Sequence, residues 1–343
     1  MRTENLSALE RITLDDLERV LDRHTRQRIP VDQWTEFSWS VSRHTMFRQC
    51  RRRYYLNYYG ARRVREANSA IISAIWWLKQ IVDLPTWIGS VVHHVAASAI
   101  DDIRSRRRVD QADHIRRGLE YYRGGIDASW RGAKHEGQWI VLFEHTYSTP
   151  TLAEDVRAGE RQVEALIKAL FSSDAYRRIV DVVSQSPDVA LEVDEPFQFF
   201  EFDASPVAGL VRVFAIPDVL LYENDTALII DWKTGGVGYE SIRDQAGVYR
   251  LYAKYHYDLP EDAITVQIAD LASGGVSVDP PGGTPTVAEA DGFIRASIAA
   301  MVEQMDDLEY NTVSIGSFPM TEDRSLCRRC GFRRACWRHT DDD

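Results

Sequence analysis

The chain has 343 residues, of which 44% are hydrophobic and 27% are charged, and its formal net charge is −11. This length allows one large core or two modest domains, and no apolar run approaches the ~20 residues that span a bilayer. Because the N-terminal residues also lack the apolar core of a signal peptide, we expect a soluble cytoplasmic protein with no membrane partner. The acidic net charge argues against a general nucleic-acid coat but leaves a local basic groove open.

Apolar periodicity divides the chain into five predicted segments. They are an N-terminal helical arm (1–35), a helical segment (36–104), a helical insertion (105–185), an α/β core (186–285) and a C-terminal helix with a cysteine-rich lobe (286–343). The helical segment is predicted to contain one helix at 37–60, capped at Ser40 or Ser42, and another at 86–104.

The helical insertion carries residues that commonly interrupt helices. Glycine lacks a Cβ atom and loses much conformational entropy in a helix, so we expect breaks at Gly124–Gly125 and at Gly132. A further break is predicted at 148–150, where Ser, Thr and Pro follow one another.

Strand patterns begin near residue 189. A strand is predicted within 189–202, and the apolar runs 211–221 and 227–230 predict a β-hairpin. Asn224 and Asp225 suit the tight turn between them. The remaining predicted elements are a helix at 239–257, strands at 263–271 and 276–278, and a helix that begins at a capping box of Thr286 and Glu289 and ends near 308.

The predicted hairpin brings three charged side chains together. If Asn224 and Asp225 are the central turn residues, pairing outward places Asp218 directly opposite Asp231. Opposed residues point to the same face of a sheet, with Cβ atoms roughly 4.5–5.5 Å apart. Lys233 lies two residues further on and shares that face.

Two opposed carboxylates repel each other and destabilise a sheet, so their presence calls for a compensating partner. A divalent cation with oxygen ligands, Mg²⁺ above all, is such a partner. A neighbouring lysine can orient an attacking water and neutralise charge on a phosphate. The alternative is that both aspartates are solvated at strand ends, with Lys233 as their counter-ion.

The segments Ile216-Pro217-Asp218 and Asp231-Trp232-Lys233 resemble the signature of the PD-(D/E)xK nuclease superfamily, and its RecB-like branch in particular. The resemblance implies an α/β restriction-endonuclease-like core, a mixed sheet flanked by helices, with a helical insertion and a C-terminal iron–sulfur lobe. It also implies that Asp218, Asp231 and the Trp232 backbone carbonyl hold Mg²⁺ or Mn²⁺ while Lys233 activates water.

Three further motifs fit the same branch. Gly89, Ser90 and His93 match a helix motif whose histidine binds the metal, which makes His93 a metal ligand by resemblance. Glu195 lies in the predicted strand 189–202, near the place where relatives carry an acid on the first core strand, and the resemblance assigns it to the catalytic group. Gln245 and Tyr249, four residues apart on one helix face, resemble a motif that positions nucleic acid.

The four cysteines form a pattern of their own. Cys327, Cys330 and Cys336 have a C-x2-C-x5-C spacing, and Cys50 is the remaining cysteine. Such clustering in a cytosolic chain argues for metal binding rather than disulfides, and the spacing fits Zn²⁺ as well as a [4Fe–4S] cluster. The pattern resembles that of AddB-type nucleases and CRISPR-adaptation exonucleases, which implies a [4Fe–4S] cluster.

These features predict a metal-dependent DNA nuclease, and the resemblance implies an exonuclease that acts on single-stranded or frayed DNA ends. The chain lacks a G-x-x-x-x-G-K-[ST] motif, so a helicase motor would come from a partner. DNA repair, recombination, CRISPR adaptation and antiviral defence complexes are all compatible settings. The alternative is a catalytically silent module that binds DNA ends or a protein partner.

Overall fold

A computed structural model of the protein describes residues 2–30, 36–62, 69–186, 189–193, 198–235, 239–280 and 282–336. Its helices are α1 (Arg2–Glu10), α2 (Leu14–Thr25), α3 (Val41–Gln49), α4 (Arg51–Tyr55), α5 (Ala70–Lys79), α6 (Leu84–Arg104), α7 (Gln111–Arg131), α8 (Phe143–Thr146), α9 (Leu152–Ser172), α10 (Asp174–Gln185), α11 (Tyr239–Tyr257), α12 (Val287–Val302) and α13 (Arg333–Cys336). Its strands are β1 (Ser38–Trp39), β2 (Ile81–Val82), β3 (Lys134–His135), β4 (Gln138–Trp139), β5 (Val141–Leu142), β6 (Ala190–Val193), β7 (Phe199–Asp203), β8 (Leu210–Phe214), β9 (Val219–Glu223), β10 (Thr226–Lys233), β11 (Ile264–Asp270), β12 (Val276–Val278), β13 (Met305–Asp307) and β14 (Thr312–Val313).

A five-stranded mixed sheet lies at the centre of the α/β core. Its strand order is β12-β11-β10-β9-β6. The pair β10 and β11 is parallel, and the other neighbours are antiparallel. The expectation of a mixed α/β fold is therefore confirmed.

The two faces of this sheet belong to different hydrophobic cores. Side chains alternate between faces along a strand, so Leu220 and Ile229 pack into one core, together with buried residues of α11. Val219 and Ile230 pack into the other, together with buried residues of α6 and α9. The hairpin of β9 and β10 is thus held between two helical layers.

The apolar run 211–221 forms two strands in separate sheets, so the prediction of a single strand is wrong. β8 pairs with β1 and β7, whereas β9 pairs with β10 and β6. Pro217 lies in the irregular segment between them, and proline cannot donate a hydrogen bond to a sheet. The predicted strand at 189–202 is likewise divided between β6 and β7.

The predicted single helix at 37–60 is also wrong. Ser38 and Trp39 form a strand that pairs with β8, and Ser40 caps α3 by accepting a hydrogen bond from the backbone N–H of Arg43. Cys50 then has an extended backbone, at φ −158° and ψ 107°, and separates α3 from α4. A π-helical turn at Leu56–Gly60 follows.

Helix α7 passes through Gly124–Gly125 without interruption, contrary to the predicted break. A Cβ atom on Gly125 would lie 2.0 Å from the Trp87 side chain, and one on Gly124 would lie 2.5 Å from His135. These glycines therefore serve close packing rather than a turn. The helix ends at Gly132, which has φ +64°, and the predicted break at 148–150 separates α8 from α9.

Helix α12 begins at the predicted capping box of Thr286 and Glu289, with both reciprocal hydrogen bonds present. It ends at Val302 rather than near 308, because β13 begins at Met305. Among the residues described, no helix is long and apolar enough to cross a membrane.

Candidate active site

The β9–β10 hairpin has the register that the turn residues predict. Asn224 and Asp225 have positive φ angles of 47° and 56°, as a type I′ turn requires. Paired residues run from Thr226 with Glu223 to Ile230 with Val219. The next step outward brings Asp218 to Asp231, and the backbone N–H of Trp232 donates to Asp218 Oδ2 at 2.6 Å.

Helix α6 contributes a histidine to this end of the hairpin. His93 Nδ1 lies 2.8 Å from Asp218 Oδ1. The helix can approach because Gly89, one turn before His93, faces the segment that follows β10: a Cβ atom there would lie 3.0 Å from Thr234 Oγ1. Gly89 of the predicted helix motif therefore lets α6 come close enough for His93 to contact Asp218.

Asp231 is almost completely buried, with 2% of its surface exposed. Its Oδ2 atom lies 2.5 Å from Lys233 Nζ. Within the described part of the chain, this buried oxygen has an ion-pair partner but no hydrogen-bond donor of acceptable geometry. The cationic Lys233 side chain therefore neutralises this buried carboxylate.

Gln245 and Tyr249 connect the lysine to the aspartate. Lys233 Nζ donates to Gln245 Oε1 at 2.6 Å, and Gln245 Nε2 donates to the Tyr249 hydroxyl at 2.6 Å. That hydroxyl lies 2.9 Å from Asp231 Oδ1 and 3.0 Å from the Ile216 carbonyl oxygen, both of which can accept its proton. The predicted pair on α11 therefore contacts the predicted catalytic side chains directly.

Burial and neighbouring charge set the protonation preferences here. Burial raises the pKa of Asp231, and the Asp218 carboxylate raises it further. Burial lowers the pKa of His93, but the Asp218 carboxylate outweighs this effect and leaves the pKa raised. Burial, followed by the Asp231 charge, raises the pKa of Tyr249, so its hydroxyl keeps the proton that it donates.

Strand β6 ends just before the predicted acid Glu195. Glu192, within this strand, accepts hydrogen bonds from Tyr257 and Gln198. Glu195 lies outside the described residues, so its predicted catalytic role remains a prediction. The Trp232 side chain is buried in the core that contains α6, and the proposed metal contact of its backbone carbonyl also remains a prediction.

The comparison with protein families agrees with this geometry. A family model for the PD-(D/E)XK nuclease superfamily matches residues 38–337. The chain belongs to this superfamily. PD-(D/E)XK proteins are mostly nucleases that act on DNA with Mg²⁺ or Mn²⁺. No curated protein and no solved structure matched the chain.

The metal ligands predicted for this PD-(D/E)XK chain are close together but already have protein partners. His93 contacts Asp218, and Asp231 contacts Lys233. In the residues that the structure describes, no three His, Cys, Asp or Glu side chains are arranged as a metal-binding group.

The four cysteines lie in one neighbourhood. Burial raises the pKa of Cys336, and the Cys330, Cys50 and Cys327 thiols raise it further. Cys50 Sγ accepts a hydrogen bond from the Arg53 backbone at 3.4 Å, and the Cys330 backbone N–H donates to the Cys327 carbonyl at 3.1 Å. The structure thus brings residues nearly three hundred positions apart to one place, without arranging three of them as a ligand set.

A cleft of about 450 Å³ beside the site was missed by sequence analysis. Gln245 and Tyr249 line it together with Ser42 and Arg43 at the start of α3. The sequence identified this start only as a helix cap, because nothing local shows that α3 packs next to α11. The arginine next to the capping serines was the one available signal.

Proposed function

We propose that this PD-(D/E)XK protein is a Mg²⁺- or Mn²⁺-dependent DNA nuclease. One observation carries the proposal: His93, Asp218, Asp231 and Lys233 meet at one end of the β9–β10 hairpin. Burying two carboxylates beside each other is unfavourable for folding, since desolvation and mutual repulsion both oppose it. A site for phosphodiester hydrolysis explains why the chain keeps them.

Asp218, Asp231 and His93, together with the Trp232 backbone carbonyl and Glu195, would hold the metal ion. The donor set is mainly oxygen, which suits a hard cation, and the buried Asp231 Oδ2 already has the cationic Lys233 side chain as its partner. A bound Mg²⁺ or Mn²⁺ polarises the phosphate and lowers the pKa of a coordinated water.

Lys233 is the residue proposed to handle the attacking water. Its side chain is 15% exposed, so the ammonium can contact a substrate while it stays paired with Asp231. Gln245 fixes that ammonium from one side and Asp231 from the other. In this arrangement Lys233 orients the water and neutralises charge that develops on the phosphate.

Gln245 and Tyr249 would position DNA through the catalytic groups that they hold. Both side chains also line the cleft of about 450 Å³, so a strand there would pass directly beside Lys233 and Asp231. An exonuclease on single-stranded or frayed ends is the mode we propose, supported by resemblance to the RecB-like branch. A helicase, or a CRISPR or defence protein, is the proposed class of partner.

We also propose that Cys50, Cys327, Cys330 and Cys336 hold a [4Fe–4S] cluster, with Zn²⁺ as the alternative. Four thiols in one neighbourhood match the ligand number of both. Cys50 has an extended backbone at the start of α4, so it lies outside the regular part of the helix. The cluster would join the start of α4 to the C-terminal lobe. Visible absorbance of anaerobically purified protein distinguishes iron–sulfur from colourless zinc.

The test is cleavage of end-labelled DNA, single-stranded and double-stranded, linear and circular, with Mg²⁺ or Mn²⁺. We expect Lys233→Ala to lower the rate at least about 100-fold, the lower end of what a general acid or base contributes. Lys168→Ala is the matched control, because Lys168 is 57% exposed and pairs with Glu164 on α9. It should cut like the wild type.

Loss of activity in Lys233→Ala alone supports the nuclease. Which of the four DNA forms the wild type cuts then shows whether it requires a free DNA end. If folded wild-type protein binds DNA but never cuts it, the proposal of catalysis fails and the silent binding module takes its place. Equal activity of both lysine variants and wild type would remove Lys233 from the mechanism.

A further inference from the structure

Three aromatic rings form a ladder between α6 and α7, and its outer end is exposed. Trp87 is buried, with 3% of its surface exposed. Tyr121 stacks on it with ring centroids 5.4 Å apart and an interplanar angle of 28°. His94 stacks on Tyr121 at 4.1 Å and 4°, and is itself an exposed residue. The rings therefore become progressively more accessible toward His94.

The protein accepts a cost in helix stability to form this ladder. Gly124 and Gly125 occupy the interior of α7, where glycine stabilises a helix less than alanine does. A Cβ atom on Gly125 would lie 2.0 Å from Trp87, and one on Gly124 would lie 2.5 Å from His135, a ring that also contacts Tyr121. Gly125 makes room for Trp87 at the buried end of the ladder, and Gly124 makes room for His135 beside it.

The exposed end of the ladder directly follows a residue of the proposed catalytic centre along α6. His94 directly follows His93 on α6, so their Cα atoms are about 3.8 Å apart. Successive side chains on a helix point about 100° apart, and His93 points to Asp218. The His94 ring therefore faces a different side of α6 from His93, and the two histidines are close enough along the helix for one DNA strand to contact both. Among the described residues, Tyr121 is the one aromatic ring stacked on it.

We propose that His94 is a base-stacking platform for single-stranded DNA. A nucleobase placed on its outer face would extend the ladder to a fourth ring, while the backbone of the same strand reaches His93 and Asp218. Base–aromatic stacking tolerates any sequence because every base has a flat face. Bases in a duplex are already stacked on each other, so the platform favours unpaired strands. The inference rests on the proposed nuclease function and adds a residue that positions the single-stranded substrate.

The test is the affinity of full-length protein for a fluorescent single-stranded oligonucleotide, measured in EDTA so that the strand stays intact. We expect His94→Ala to weaken binding at least about fivefold, and His94→Phe to retain wild-type affinity because it keeps a flat ring. The control is His256→Ala. His256 is a 48% exposed histidine that stacks on Tyr252 near the opposite end of α11 from Gln245. This control should bind normally.

A series of oligonucleotides with one abasic position each then locates the stacked base. At one position, loss of the base should weaken wild-type binding yet leave His94→Ala unchanged, because the contact is already absent there. Identical abasic profiles in the two proteins, or wild-type affinity of His94→Ala, overturn the platform. If the protein binds single strands through His94 but never cuts DNA, the platform stands and the nuclease fails. If the protein cuts DNA and His94→Ala behaves normally, only the platform fails.

Discussion

Tyr249→Phe removes one hydroxyl from the centre of the site. That hydroxyl accepts a hydrogen bond from Gln245 Nε2 and lies 2.9 Å from Asp231 Oδ1. A hydrogen bond to a charged group contributes about 1.5–3 kcal/mol, so we expect unfolding free energy to fall by roughly that amount. Freed from Tyr249, Gln245 no longer fixes Lys233, and a tenfold to 100-fold fall in kcat corresponds to about 1.4–2.7 kcal/mol.

Urea denaturation and steady-state cleavage of labelled single-stranded DNA measure the two effects separately. Tyr257→Phe is the matched control, because Tyr257 on the same helix also donates to a carboxylate, that of Glu192. It should lower stability without lowering kcat. Our reasoning is refuted if Tyr249→Phe raises KM at unchanged kcat, since that result would mean that the hydroxyl contacts DNA rather than the catalytic side chains.

Three other changes test the fold around the site. Gly125→Ala should destabilise the protein by about 1–3 kcal/mol because its Cβ would overlap Trp87. Gly292→Ala in α12 should stabilise it by roughly 0.5–1 kcal/mol, because a Cβ there would meet none of the described neighbouring atoms within 4 Å. Thermal unfolding compares the two variants, and a Gly125→Ala protein as stable as the wild type would contradict the packing. Burial lowers the pKa of His24, so the unfolded chain takes up its proton first as pH falls below about 6.5 and the unfolding free energy decreases there. His24→Gln can still donate to the Arg62 carbonyl and should make urea midpoints less dependent on pH in this range; an unchanged dependence would exclude His24 as a contributor. Cys50→Ser should abolish visible absorbance and lower the thermal midpoint if the four cysteines hold a cluster, and a variant that keeps both would remove Cys50 from the ligand set.

The hairpin was predictable because a local turn determines its register. Asn224 and Asp225 can adopt positive φ angles, and the pairing that follows brings Asp218 to Asp231 by counting alone. Spacing alone did not predict what Gln245 and Tyr249 contact, and only the family resemblance pointed to the metal site. Their spacing shows that they share a helix face, but the partner of that face depends on how α11 packs on the sheet.

Other errors arose where tertiary packing outweighed a local preference. Gly124–Gly125 would normally weaken a helix, yet close approach of Trp87 requires them inside α7. Pro217 divides an apolar run whose halves look alike in sequence, because sheet membership depends on distant strands. The position of Cys50 between two helices likewise depends on contacts with residues far along the chain, such as the Pro319 carbonyl that accepts from the Arg52 backbone.

Helices α2 and α4 of this protein are held by residues that lie 266 to 288 positions further along the chain. Thr25 Oγ1 donates to the Val313 carbonyl at 2.8 Å, and Arg52 Nε donates to the Phe318 carbonyl at 2.8 Å. During translation, α2 and α4 therefore wait for residues 313–319 to leave the ribosome before their own contacts are complete. Contacts so distant in sequence form slowly, because a long loop must close first. The core that contains α2 and α4 therefore stays incomplete in the nascent chain until residue 319 has left the ribosome, and an incomplete core leaves hydrophobic surface exposed to solvent.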